Sequence, residues 1–402
     1  MNKWSQVIAL EQNDAGTRVM IVTHDGRIRG AAYERHRVIT PQPGWVEYDP
    51  AEMWYKAKKV LAAGLDIHRS FPEEIAAVGI TGQRATTVVW NRDTGEPYCN
   101  AIAEQDTRTD DLIDLLRRDG VEELVRARTG LPLRSSFSAV KLKWLLDNLP
   151  GLRREAEQGR VLFGTLDSWL LWHLTGVHAT DYTSAVYTQL FNIQRCDWDQ
   201  ELLALFAIPR MMLPSVYPSS NARLFGHTRE RTPFNGSVPV AAVLCEPQAV
   251  LFGLACFNPG DAGLVQGTSG SLLLNTGARL TPSSPAWATL AYALQPDPVC
   301  YALEMPFPGE RPLRELVGDL AVQAGERLTV LRVAGDRAQA DSWMQLAANV
   351  LGIPLVRPQA AETASLGAIY AAGLAVGFWE NVEALSSIWK AEQVYAPRGG
   401  RQ

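Results

Sequence analysis

The chain has 402 residues, 47% of them hydrophobic and 20% charged, which suits a globular protein with two sizeable cores. A formal charge of -5 with no basic run excludes a footprint for nucleic acid or an anionic membrane, and no apolar stretch is long enough to span a bilayer. The start, MNKWSQVIALEQ, lacks a long apolar signal segment, so a cytoplasmic location is expected; five cysteines without a CxxC pair and six histidines without ligand spacing argue against a zinc or disulfide framework.

Residues Gln6 to Leu10 read as a strand, Glu11-Gln12-Asn13-Asp14-Ala15-Gly16 as a turn, and Thr17 to Val22 as the second arm of a hairpin. Asp25-Gly26 marks a turn before a third strand, Ala31 to Val38. A helix follows from Asp49 to Leu65, with Pro50 at its start and Ala51, Trp54, Ala57 and Leu61 on one face. Ile75 to Thr81 is a short buried strand that runs into the polar stretch Gly82-Gln83-Arg84-Ala85-Thr86-Thr87, and Val88 to Trp90 resumes the extended pattern. Helices are predicted over Asp110 to Arg117, Val121 to Arg128, Ser138 to Leu149 and Thr165 to Leu174, with a strand at Val161 to Phe163. Their Lys and Arg side chains read as solvated surface.

In the stretch Val238 to Gly253, VPVAAVLCEPQAVLFG, an apolar strand stops at Glu246, and Pro247 opens a helix. Proline suits a first helical turn, and an acid beside it faces the positive end of the helix. A carboxylate at a strand's carboxyl end is placed either to cap that helix or to serve a ligand, because ligands collect at such ends in open α/β sheets. Beyond it, Gly263 to Val265 and Ser271 to Leu274 form a hairpin around Gln266-Gly267-Thr268-Ser269-Gly270, and Cys300 to Glu304 adds a third strand. A helix Arg311 to Ala324, a strand Thr329 to Val333, a helix Ser342 to Leu351, a strand Leu355 to Arg357 and a helix Ser365 to Val376 complete the order. Each half reads βββα followed by further α/β alternation, which predicts two related α/β domains, 1–243 and 244–402, facing a central cleft.

Pro43-Gly44-Trp45-Val46-Glu47, Ile80-Thr81-Gly82-Gln83-Arg84, Leu162-Phe163-Gly164-Thr165, Thr180-Asp181-Tyr182-Thr183 and Gly373-Leu374-Ala375-Val376-Gly377-Phe378-Trp379, with the spacing between them, resemble the FGGY carbohydrate kinases, and their glycerol-kinase branch in particular, over nearly the whole chain. The resemblance implies two actin-like, ribonuclease-H-like domains with βββαβαβα cores hinged about a cleft. It also implies transfer of the γ-phosphoryl of MgATP to a hydroxyl of a polyol or sugar. Phosphoryl transfer needs an in-line nucleophile, metal and amides to carry charge, and a carboxylate to take the hydroxyl proton. In the family that carboxylate is an Asp where Glu246 stands, so Glu246 is the expected base.

Departures from the family pattern fall where chemistry would occur. The family's first phosphate hairpin, Asp-Gln-Gly-Thr-Thr-Ser, is here Glu11 to Gly16, so Glu11 and Gln12 are the candidate nucleotide residues, with Glu11 a candidate magnesium holder through water. Asn13 replaces a glycine, Ala15 replaces a hydroxyl donor, and Asp14 adds a negative charge that costs on the order of 1 kcal/mol against each phosphate charge nearby. Gly267 and Thr268 of the second hairpin either hold an anion or simply make a tight turn, and the adenosine turn is altered to Ala334-Gly335-Asp336-Arg337, with Gly335 the candidate contact. A helix with Trp343, Leu346 and Val350 on one side follows it.

In the polyol pocket Arg84 is the identical residue, beside Gln83, while Glu104 and Ser136 replace the family's aromatic wall and Ala85 replaces a glutamate. Glu104 either pairs with Arg84, filling the old pocket with a salt bridge, or joins Glu246 to receive a different, amine-bearing ligand. A long segment that the family carries between the strand ending at Glu304 and the helix starting near Arg311 is absent. Two expectations follow. In the first the protein keeps the fold without ordinary glycerol kinase activity and serves as a noncatalytic binding protein or an enzyme of other chemistry. Its partners are a small molecule in the cleft, another copy of itself or another family kinase, and its cofactor requirement is none. In the second it is a kinase of another hydroxyl substrate, using ATP and Mg2+ with Glu246 as base.

Overall fold

The computed structural model describes residues 4–68, 70–266, 270–282, 284–295, 297–307 and 311–398. Strands β1 (Gln6–Gln12), β2 (Gly16–Thr23) and β3 (Ile28–Arg35) form an antiparallel meander, and α1 (Pro50–His68) packs Met53, Ala57, Val60 and Leu61 beneath it. Next, β4 (Ile75–Gly82) enters parallel to β1. The helix α2 (Ser138–Asn148) lies in the long excursion before β5 (Val240–Cys245), which runs parallel to β4 and leads directly into α3 (Glu246–Gly253). The five-stranded sheet thus has the order β5-β4-β1-β2-β3.

A second sheet repeats the plan. Strands β6 (Ala262–Gln266), β7 (Ser271–Gly277), β8 (Trp287–Tyr292) and β9 (Cys300–Pro306) pair antiparallel, and α4 (Leu313–Ala324) leads to β10 (Leu331–Gly335), parallel to β6. Helix α5 (Asp341–Leu351), strand β11 (Leu355–Pro358), helix α6 (Thr363–Ala375) and strand β12 (Ala391–Tyr395) complete the order β8-β9-β7-β6-β10-β11-β12. The inner five strands of this sheet match the first sheet strand for strand. Two strands of this sheet were not expected from the sequence: β8, whose Trp-Ala-Thr-Leu-Ala-Tyr is apolar without alternation, and the edge strand β12.

Helix α6 runs back against the first sheet's side of the molecule and crosses α3 at contact distance. A Cβ on Gly367 would stand 1.8 Å from the Ala249 carbonyl oxygen, and one on Gly253 would stand 2.0 Å from the Thr363 carbonyl oxygen. Glycine at both positions is therefore a condition of the crossing. The core around it joins Val7, Met20 and Ala241 of the first sheet to Leu251, Phe252, Ile369 and Tyr370 of the two helices. Helix α5 buries Met344, Ala347 and Ala348, while Leu346 and Val350 are exposed. No described helix is long and apolar enough to cross a membrane.

Candidate active site

Register brings the carboxyl ends of three strands into line. Glu11 stands opposite Thr81, Gln12 opposite Gly82, and Cys245 opposite Gly82 from the other side. One residue further on, Asn13, Gln83 and Glu246 therefore share the lip of the first sheet, and the Gln83 amide continues the ladder to the Gln12 carbonyl at 2.7 Å.

Glu246 opens α3 directly from the extended Cys245, and Pro247 occupies the first turn, where no amide partner is needed. Burial drives its carboxyl pKa well above the ordinary 4.5, and the negative charges of Asp14, Glu11 and Glu104 add to the rise while Arg84 opposes it. Its proton is thus held more tightly than that of a solvent-exposed glutamate.

The first hairpin turns on Asn13. Its side-chain oxygen accepts from the backbone amides of Ala15 and Gly16, both at 3.0 Å, and its amide nitrogen donates to Glu11 Oε1 at 2.8 Å. The turn thus occupies those two amides itself. Glu11 takes a second bond from Ser365 Oγ of α6. Gln12 faces the other side of the strand, donating to Thr17 Oγ1 at 3.0 Å and to the Met53 carbonyl at 3.2 Å, so its carboxamide serves α1 and lies away from the cleft residues. Among the described residues no group of three or more His, Cys, Asp or Glu could hold a metal ion.

Arg84 is 6% exposed and is held from both sides. Its Nε and Nη2 reach Glu104 Oε1 at 2.8 and 2.7 Å, the pairing the sequence suggested, while Nη1 pairs with Glu304 of β9. Tyr187 lies under the guanidinium, its ring centroid 5.2 Å away. Burial works against the charge, yet Glu104 and Glu304 outweigh it and hold Arg84 well above its ordinary pKa. Glu304 is fully buried and also accepts from Ser271 Oγ and Tyr187 Oη, and Gln248 Nε2 donates to Tyr187 Oη at 2.7 Å. One polar network therefore ties the two sheets together across the cleft.

Ser136 and Glu104 line a cavity of about 450 Å³ together with Asp106, Arg117 and Arg134. Gly335 ends β10 with φ 97°, opposite Gln266, so it belongs to the second sheet's lip. Gly267 and Thr268 lie outside the described residues. Both polar atoms of the buried Gln83 side chain, Thr81 Oγ1 and Gln248 Oε1 have no partner among the described residues, which marks the lip as a place for water or ligand.

Sequence reasoning missed Glu304, Tyr187, Gln248 and Lys141. Glu304 had a signal: it is the lone charge in the otherwise apolar Tyr301-Ala302-Leu303-Glu304-Met305. Lys141 had one too, lying four residues before Leu145 on the apolar face of α2 and so placed unlike a solvated helical lysine. It is fully buried.

The two topologically matched α/β lobes are of the actin-like, ribonuclease-H-like class. The chain belongs to the FGGY family of carbohydrate kinases: the family's N-terminal domain matches residues 6–253 and its C-terminal domain matches residues 312–376. It is 36% identical to a glycerol kinase of Beijerinckia indica, covering 98% of this chain and 94% of that one, and 37% identical to one of Mycobacteroides abscessus, covering 96% and 93%. The first alignment spans 476 positions, more than the 402 residues here, so that relative carries residues with no counterpart in this chain. In fold it is similar to a glycerol kinase of Plasmodium falciparum crystallised with ADP, at a TM-score of 0.90 with 23% identity, covering 98% of this chain and 94% of that one. The fold is also that of a gluconate kinase from Lactobacillus acidophilus, at a TM-score of 0.84 with 16% identity over 98% and 94%.

Proposed function

We propose that this glycerol-kinase-like protein does not carry out ordinary glycerol phosphorylation and uses its cleft to bind a small molecule or to serve other chemistry. The observation that carries the reading is Arg84, whose guanidinium is engaged on both sides by Glu104 and Glu304. A polyol hydroxyl would have to displace a charge-assisted bond between buried groups, and a neutral hydroxyl is the weaker partner. The Asn13-closed hairpin points the same way, because it withholds the Ala15 and Gly16 amides from a phosphate. On this reading the macromolecular partner is a further copy of the chain or an active kinase of the family.

A coupled assay of ADP release with MgATP and a panel of polyols, sugars and sugar acids tests the proposal. Release no faster with any of them than without is expected. Glycerol-dependent release would overturn the proposal.

A second reading, an ATP-dependent kinase of another hydroxyl substrate, is favoured by Glu246. It stands at the strand-to-helix junction, and its raised proton affinity brings it toward the range a general base needs at neutral pH. If a panel member does elicit ADP release, Glu246→Gln should abolish it; unchanged release would remove Glu246 from the base role.

A further inference from the structure

The Lys141 ammonium donates to three backbone carbonyls: Ala103 at 2.6 Å, Ser136 at 2.7 Å and Ala85 at 3.3 Å. An ammonium has three N–H donors, and these acceptors use all of them. The acceptors come from three separate stretches of chain, and each stretch carries a pocket residue. Ala85 follows Arg84, Ala103 precedes Glu104, and Ser136 is itself a pocket residue. Ala85 also has φ 54°, the left-handed region that a Cβ disfavours, so the turn that aims Arg84 must be held in place from outside. Its carbonyl takes further bonds from Thr87 Oγ1 at 3.2 Å and Ser138 Oγ at 3.4 Å, so Lys141 is the charged donor among those that hold that carbonyl.

We propose that Lys141 is a positioning residue of the cleft: its protonated ammonium clamps three backbone carbonyls, fixing Arg84, Glu104 and Ser136 relative to one another, and loss of that proton loosens all three. The inference concerns the shape of the pocket and is independent of whether the cleft transfers phosphoryl.

A neutral amine keeps two N–H donors and turns a lone pair toward the third carbonyl. Burial lowers Lys141 from 10.5 to about 7; Glu104 and Asp106 favour its charge, and Arg108 opposes it. An unfolded lysine titrates near 10.5, so between about pH 7 and 10.5 the unfolded chain binds more protons at this residue than the folded one, and its contribution to global stability rises with pH. Pocket loosening and the stability contribution of this residue therefore run in opposite directions over that window, which separates the clamp from general unfolding.

Hydrogen–deuterium exchange of the whole protein at pH 6 and pH 9, corrected for intrinsic rates, reads the clamp at the Thr87, Ala103 and Phe137 amides, which bond to Ile102, Val46 and Arg134 carbonyls. Protection of these three is expected to fall about tenfold at pH 9, the effect of losing one charge-assisted bond, while amides within β1 and β4 hold. Lys141→Met should show the loosened pattern at both pH values. If Lys141→Met does not fold, the wild-type pH pair decides alone. Equal protection of the three segments at pH 6 and pH 9 in wild type would overturn the proposal whatever the ADP-release assay finds.

Discussion

Replacing Arg84 with methionine keeps an unbranched apolar stem and removes the cation that pairs with both Glu104 and Glu304. Glu304 is fully buried and Glu104 has a side chain 14% exposed, so neither acid can regain full hydration where it stands. Breaking a buried pair by removing one partner costs about 3–5 kcal/mol, because it strands a charge. At roughly 2 °C per kcal/mol for a large domain, the melting temperature should fall on the order of 10 °C. Arg84→Met combined with Glu304→Gln removes the stranded charge while leaving an oxygen to accept from Ser271 and Tyr187, so the double variant should regain much of the loss. Thermal denaturation of the single and double variants at neutral pH, with urea midpoints as a second measure, makes the comparison. Additive losses, or a single variant within about 1 kcal/mol of wild type, would refute the argument that the two acids are held in the cleft by Arg84.

Asn13→Gly with Asp14→Thr frees the Ala15 and Gly16 amides and removes a negative charge, and calorimetric titration should show MgATP binding tightened about fivefold or more. Unchanged affinity would mean the hairpin is not what limits nucleotide. Glu246→Gln should stabilise the protein above pH 4.5, by an amount that grows with pH up to the raised folded pKa and then levels off, since the wild-type carboxyl is easier to ionise when unfolded. Melting curves across that range check it, and a stabilisation that shrinks with rising pH would contradict it. Gly367→Ala forces a methyl into the Ala249 carbonyl at the α3–α6 crossing, and a loss of about 2 kcal/mol or more in urea denaturation is expected.

Much of the fold was legible because strand and helix periods are written locally. The β1–β2 hairpin, α1 and the β5–α3 junction all carry a turn residue or a proline at the point where the pattern changes. The position of Glu246 was legible for the same reason. Glu304 was not, because it lies more than two hundred residues from Arg84 and only the pairing of β9 with β7 brings it to the cleft. Lys141 was hidden differently: a long side chain on a helix usually reaches water, and here its end meets carbonyls contributed by loops that the helix pattern says nothing about. The role of Asn13 was read as the loss of a glycine, whereas the side chain acts by what it adds, an acceptor that fills the turn.

Charge decides what remains open at the lip of the first sheet. Glu11, Asp14, Glu104 and Glu246 gather there, and Arg84 is the opposing cation that Glu246 feels. On the proposed reading, Arg84, shared between Glu104 and Glu304, offers little positive charge to a triphosphate and only partly offsets the burial and acidic neighbours that raise the proton affinity of Glu246. The two effects are coupled: any ligand or substitution that draws Arg84 away from Glu304 toward the lip would make the site more receptive to an anion and at the same time lower the Glu246 pKa. A kinase would need the first change and only so much of the second as leaves Glu246 a general base near neutral pH, so the position of the Arg84 guanidinium between its two acids is where the binding and catalytic readings part.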